Sequence, residues 1–286
     1  MPPILSVIIV NYNTADHLER CLPSLLAQQG PSFEILIVDN ASQDESVAMI
    51  KSKFPMVTLI TSPQNLGFAK ANNLALKQAG GQYIYFLNPD TEVTNNTFAA
   101  MQSFMDSNPS IGMAGTAIYY PDKTPQSSVE LRYPGQRYTR GELDGLPGRI
   151  AWLLGASLIV RSEVIKKIGG FSEDYFLYGE DIDLGLTVRK EGWELGFIPE
   201  AKIVHWEGQS ERQSLPTEVW QKKFNAEMLF YQKHFSQPTI QAIKRANLLQ
   251  ARWRIATLTL TLPFRRDKTE ANTKLAKYKL ALQAYS

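Results

Sequence analysis

Cysteine is nearly absent: Cys21 is the only one in 286 residues, so no disulfide can form within the chain. Cys21 falls in an apolar helical pattern with Leu18, Leu22, Leu25 and Leu26, which reads as a buried thiol in a reducing compartment and not as a nucleophile. No apolar run approaches the roughly 20 residues that cross a bilayer, and Met1-Pro2-Pro3-Ile4 lacks the basic start of a secretory signal. No Gly-x-Gly-x-x-Gly follows the first apolar segment and no Gly-Lys-Ser/Thr loop is present. Those absences argue against a nicotinamide-dependent Rossmann enzyme and a P-loop nucleotidase. There is no internal repeat and no large charge imbalance, with 30 Lys/Arg against 28 Asp/Glu. The balance is uneven, however. Residues 241–286 hold ten basic and two acidic residues (+8), and the remainder twenty and twenty-six (−6). The basic tail therefore reads as a separate piece with an anionic neighbour.

What is present is a rhythm of short apolar strands and helices. Leu5 to Val10, Glu34 to Val38, Met56 to Ile60 and Gln82 to Leu87 suit strands covered on both faces. Helices are predicted between them over 15–28, after Ser42 as a cap, and over 67–78, with another from about Asn95. This alternation means βαβ units and a mainly parallel, Rossmann-like α/β sheet with flanking helices. Further strands are expected over 111–119, 194–198 and 202–204, and helices over 181–191 and 217–234, while 152–160 is an apolar run containing Gly155. The Pro-, Gly- and Ser-rich stretch 121–148 reads as a functional loop or mobile lid. The chain is read as one large domain, residues 1–238, and a basic, helical extension, 239–286. Within that extension 246–254 and 273–284 suit helices, while Thr257 to Leu262 alternates with period two, as a half-buried strand would.

Polar residues gather where the strands stop. Asn88-Pro89-Asp90 ends the fourth strand, Asn11-Tyr12-Asn13 follows the first and Asp39-Asn40 the second. Adjacent parallel strands would align these groups along one rim, where ligands of open α/β sheets bind. Asp90 suits a divalent cation carrying a phosphate. The Tyr12 ring could stack on a pyrimidine base whose imide N–H Asp39 accepts. The plainer reading of Asn and Asp as helix caps stays open. Glu180, Asp181 and Asp183 open a predicted helix, and Asp181 and Asp183 point about 200° apart, so only one can face the rim. A lone His such as His205 is more often structural than a ligand. His17 and His234, inside helical patterns, are read as structural outright.

In combination these segments resemble the inverting GT-A glycosyltransferases of family 2, and especially their rhamnosyltransferase-like branch. The matching pieces are 6–13, 37–42, 65–69, Leu87-Asn88-Pro89-Asp90, Leu154-Gly155-Ala156, Gly169-Gly170-Phe171 and Tyr178-Gly179-Glu180-Asp181-Ile182-Asp183, in order from Ser6 to about Ser210. The resemblance implies a GT-A fold and a nucleotide-diphosphate sugar donor held by Asn11, Tyr12, Asn13, Asp39, Gly67, Asn72, Asn88 and Asp90, with Gly67 letting the donor approach. It implies Mg²⁺ or Mn²⁺ at Asp90 and His205, and Asp181 with Glu180 as the catalytic carboxylates. Asn88 replaces the first Asp of the family's Asp-x-Asp, at a cost of one charge. Trp152, Gly155 and Asp183 are the acceptor-side candidates. The implied reaction transfers a sugar, L-rhamnose from dTDP-rhamnose by analogy, to a glycan or lipid-linked acceptor. The competing reading is a catalytically silent sugar-nucleotide or glycan-binding module, and a nucleotidyltransferase comes third. The expected location is cytoplasmic, peripheral on the inner face of the plasma membrane through residues 244–266. Self-association is a further expectation and nucleic acid is not.

Overall fold

A computed structural model describes residues 2–206, 215–264 and 268–286. The chain alternates as read: β1 (Leu5–Asn11), α1 (Ala15–Leu26), β2 (Phe33–Asp39), α2 (Ser46–Lys53), β3 (Thr58–Thr61), α3 (Phe68–Leu76) and β4 (Tyr83–Leu87). Each of these strands pairs in parallel, in the order β3-β2-β1-β4. β1 lies in the middle because all its residues are buried. Val7 and Ile9 pack on one face with Leu18, Leu22 and Phe98, and Ile8 and Val10 on the other with Ala71, Ala75 and Val164. A strand covered on both sides has no reason to alternate in polarity, hence its continuous apolar run.

The second half of the sheet is mixed. β5 (Thr91–Val93), α4 (Thr97–Ser107) and β6 (Ile111–Tyr119) lead through β7 (Pro125–Gln126), β8 (Val129–Glu130) and β9 (Trp152–Leu153) to β10 (Ser157–Arg161). α5 (Ser162–Lys167), α6 (Glu180–Lys190) and β11 (Glu194–His205) follow. The full order is β3-β2-β1-β4-β10-β6-β11-β5, with β7 on β6, and β10 runs antiparallel to both neighbours. The strands expected over 194–198 and 202–204 are one strand whose register shifts between Ile198 and Lys202, around Pro199. Proline has no N–H to give the ladder, so it sits at the irregularity.

α7 (Pro216–His234), α8 (Gln237–Thr261) and α9 (Lys268–Tyr285) complete the described chain. Thr257 to Thr261 is helix, not the strand expected. Thr259 and Thr261 donate their hydroxyls to the carbonyls of Ile255 and Thr257 (both 2.8 Å), a bond available only on a helix. Contacts divide the chain into two compact units, Met1–Tyr133 with Leu146–Arg212, and Pro134–Gly145 with Gln213–Ser286, where the sequence reading drew its boundary at 238. Residues of the stretch 121–148 are anchored within each unit. Within the first unit Arg189 donates to Tyr133 Oη and to the carbonyls of Leu146, Pro147 and Gly148. Within the second, Glu142 Oε1 accepts from Ser236 N–H (3.1 Å) and from the hydroxyls of Ser236 (2.7 Å) and Thr239 (2.6 Å). These bonds hold the Glu142 carboxyl well below the usual range and supply the start of α8 with a cap from almost a hundred residues away.

Candidate active site

The first strand ends form one hydrogen-bonded ring. Asn11 and Asp39 are register partners on β1 and β2, and Asn11 Nδ2 donates to Asp39 Oδ1 and to Ser42 Oγ, both at 3.0 Å. Asp39 Oδ2 accepts the Ser42 N–H at 3.1 Å. Each carboxylate oxygen keeps a second lone pair, so Asp39 can still accept from a ligand. Asn13, at φ 55°, caps Gln43 N–H, and Tyr12 is exposed at 37% beside them. Ser42 is therefore part of the ring and not the expected helix cap. Glu45 stands at the N-cap of α2 without a side-chain cap bond, and Asp44 before it accepts Ser46 N–H at 3.0 Å.

The chain returns at Gly67, φ 80°, where only 2.5 Å would separate an added Cβ from the Phe176 carbonyl oxygen. The close approach this glycine permits is thus to the chain's own loop before α6. It is fixed by Phe68 N–H donating to that same carbonyl at 2.8 Å. Asn72 is buried, and its amide donates back to Phe68 O at 3.0 Å.

β4 ends between β1 and β10. Asn88 N–H donates to Ala156 O at 3.0 Å, and the Asp90 carbonyl accepts Trp206 N–H at 2.9 Å. Asp90 is 3% exposed, and its Oδ1 has no hydrogen-bond donor. His205, brought alongside by pairing of β11 with β5, places Nε2 3.4 Å from that oxygen, while Nδ1 meets Gln126 Oε1 at 3.0 Å. A buried carboxylate oxygen without a donor, next to an imidazole oriented through its other nitrogen, fits a divalent cation. Among the described residues no group of three or more His, Cys, Asp or Glu could hold a metal.

α6 opens at the same rim. Tyr178 and Gly179 adopt φ of 70° and 83°, turning the chain so that Glu180 and Asp181 enter the first helical turn. Asp181 Oδ2 accepts Gly155 N–H at 3.1 Å, and Oδ1 accepts Ile182 N–H at 2.9 Å. Gly155 precedes Ala156, whose carbonyl holds Asn88, so two hydrogen bonds and one peptide join Asp181 to the Asp90 strand end. Burial pushes both carboxyls up, and the Asp181 charge raises Glu180 further. Glu180 Oε2 is buried without a partner. Asp183 takes the structural part, accepting the Tyr175 hydroxyl at 3.2 Å in a buried position. Trp152 donates its indole N–H to Arg132 O at 3.2 Å and lies over Gly185 of α6.

The sequence profile described as Glycosyl transferase family 2 matches residues 6–169, more than half of the chain. The chain belongs to that family. An N-acetylglucosaminyl-diphospho-decaprenol L-rhamnosyltransferase of Mycobacterium tuberculosis is 29% identical over 241 residues, covering 73% of this chain and 78% of its own length. A mannosyltransferase of Pyrobaculum calidifontis, solved with GDP-Man and Mn²⁺, superposes with a TM-score of 0.64 at 17% identity, covering 99% of this chain and 86% of that one. S. aureus TarS 1-349 with UDP gives 0.57 at 15%, covering 98% and 90%. These likenesses establish a GT-A fold.

In this glycosyltransferase, Asn11, Tyr12, Asn13, Asp39, Asn88 and Asp90 lie at or just after the carboxyl ends of β1, β2 and β4, His205 ends β11, and Asp181 lies in the first turn of α6. Asn72 and Asp183 are buried in bonds to the chain itself. Three further residues complete the arrangement. Gln126 orients His205, and the Phe176 carbonyl fixes Gly67. Asn40 draws in the loop before Gly67, its Oδ1 accepting Leu66 N–H at 2.8 Å. Only Asn40 carried a signal, as the residue after Asp39 at a strand end.

Proposed function

We propose that this family 2 enzyme transfers a sugar, with inversion, from a nucleotide-diphosphate donor to a hydroxyl of a glycan or lipid-linked acceptor. Asp39, Asn11, Tyr12 and Asn13 hold the nucleoside, and Asn88 and the start of α3 after Gly67 border the rest of the donor. Asp90 and His205 hold Mg²⁺ or Mn²⁺, which would neutralise charge on the departing diphosphate. Asp181, its carboxyl raised by burial, accepts the proton of the attacking hydroxyl beside the buried Glu180, and Trp152 and Gly155 border the acceptor. The observation carrying this reading is the tie from Asp181 through Gly155 and Ala156 to Asn88, which joins the proton acceptor to the cation-binding turn.

Direct displacement needs a base on one side of the anomeric carbon and charge stabilisation on the other. One oriented base contributes roughly 10²–10⁴ in rate. The raised carboxyls suit proton transfer nearer neutrality than an ordinary aspartate would. L-rhamnose as the sugar and a polyprenyl-diphosphate-linked acceptor are supported by the named activity of the mycobacterial relative. An acceptor of that kind would set the enzyme to work at the cytoplasmic membrane surface, with 244–266 as the segment meeting it. Arg265 and Arg266 of that segment lie outside the described residues.

The test is a panel of nucleotide sugars in thermal shift with and without Mn²⁺, followed by mass spectrometry of transfer. dTDP-rhamnose is expected to give the largest cation-dependent stabilisation and a transferred or hydrolysed sugar. Binding of donors with neither transfer nor hydrolysis would favour the silent module, a reading that Asn88 supports by removing one carboxylate.

A further inference from the structure

α8 is apolar on two opposite faces. Ile240, Ile243, Ala251 and Leu258 are buried within the helical unit, where α8 packs on α7 and α9. Leu249, Trp253, Leu260 and Phe264 are exposed, at 66, 58, 74 and 88%. Their spacing of four, seven and four residues keeps them in one line along the helix and the turn after it, and exposed Ala256 fills the gap. Leu249 and Leu258 are nine residues apart, about two and a half turns, so the exposed ridge lies opposite the buried stripe. A surface helix of a globular protein ordinarily carries one apolar stripe, not two.

The charge on this helix has one sign. From Gln237 to Thr261 the charged residues are Lys244, Arg245, Arg252 and Arg254, with no acid. Arg245 and Arg252 follow one edge of the ridge, and the Arg254 guanidinium stacks 4.8 Å from the centre of the Trp253 ring. No described helix is long and apolar enough to cross a membrane.

We propose that this ridge binds the surface of an anionic bilayer, with α8 parallel to the plane. Leu249, Trp253, Leu260 and Phe264 enter the headgroup–acyl boundary, while Arg245, Arg252 and Arg254 meet anionic headgroups. A second copy of the chain fits less well, because two ridges packed together would bring cations against cations with no acid on either α8. The inference adds an attachment surface to the transfer reaction and is measured without turnover, so each can fail alone.

The full-length protein is sedimented with phosphatidylcholine vesicles containing or lacking phosphatidylglycerol. Binding is expected to the anionic vesicles and to weaken as salt rises. Trp253→Ser/Leu260→Ser should lower the partition coefficient by about tenfold or more. Arg245→Gln/Arg252→Gln should lower it severalfold and flatten the salt dependence. All four side chains are exposed, so far-UV circular dichroism should be unchanged. A parent protein that stays in the supernatant, or a Trp253→Ser/Leu260→Ser variant that pellets like the parent, would overturn the proposal. So would a parental dimer in light scattering that this variant dissolves, which would assign the ridge to a second copy.

Discussion

The two compact units break opposite rules of protein surfaces. The sheet unit buries polar groups at its strand ends and at the start of α6, among them Asn11, Asp39, Asp90, Glu180 and His205. It satisfies nearly all of them internally; among the described residues, two buried side-chain atoms, Asp90 Oδ1 and Glu180 Oε2, have no hydrogen-bond partner. The helical unit instead leaves a line of large apolar side chains in water along α8. Buried polar atoms cost free energy unless they are paired, and exposed apolar surface does so unless it is covered. Each exception therefore marks where a unit expects something else: small charged ligands in the first case, an extended surface in the second.

The sharpest way to break this contrast is at Asp181. Asp181→Asn should reduce transfer by about 10²–10⁴ with donor affinity nearly intact, as measured by single-turnover assay and calorimetry. Turnover equal to the parent would remove Asp181 from the base role. Asp90→Asn should next weaken donor binding by roughly 10–100-fold in the presence of Mn²⁺ and abolish the difference that chelation makes. Equal donor affinity of the parent with and without metal would show that the lone Oδ1 has another purpose.

Glu180→Gln probes the second unpaired atom through pH. A carboxyl raised by folding favours the protonated protein, so its stabilisation is present below the ordinary carboxylate range and is lost as pH rises through the raised value. The variant should therefore gain thermal stability over the parent at pH 8 but not at pH 4. Superimposable melting curves across that range would refute a strained pair. The smallest effect belongs to the helical unit: Glu142→Gln should lower Tm by about 2–4 °C through the lost cap and leave donor affinity untouched.

The first half of the sheet was legible because β1, β2 and β4 are apolar on both faces, a pattern that polar-faced elements cannot imitate. The second half was not, since β10 joins β4 and β6 in antiparallel register across long separations that no local pattern encodes. In α8, Thr and Leu alternate as they would in a strand, but the helix absorbs the threonines by bonding their hydroxyls to its own carbonyls. Site residues were legible as strand-end carboxylates, whereas their connections were not. The contact of Asp181 with Gly155 and of His205 with Gln126 joins segments whose proximity only the fold creates.

The meeting of Gly67 with Phe176 has a mechanical consequence. The first turn of α3 and the loop feeding α6 share one carbonyl and no spare volume, so neither can shift alone. Occupancy beneath α3 should be felt at the entrance to α6, and amide hydrogens at Phe68 and around Phe176 should slow their exchange together when donor is added.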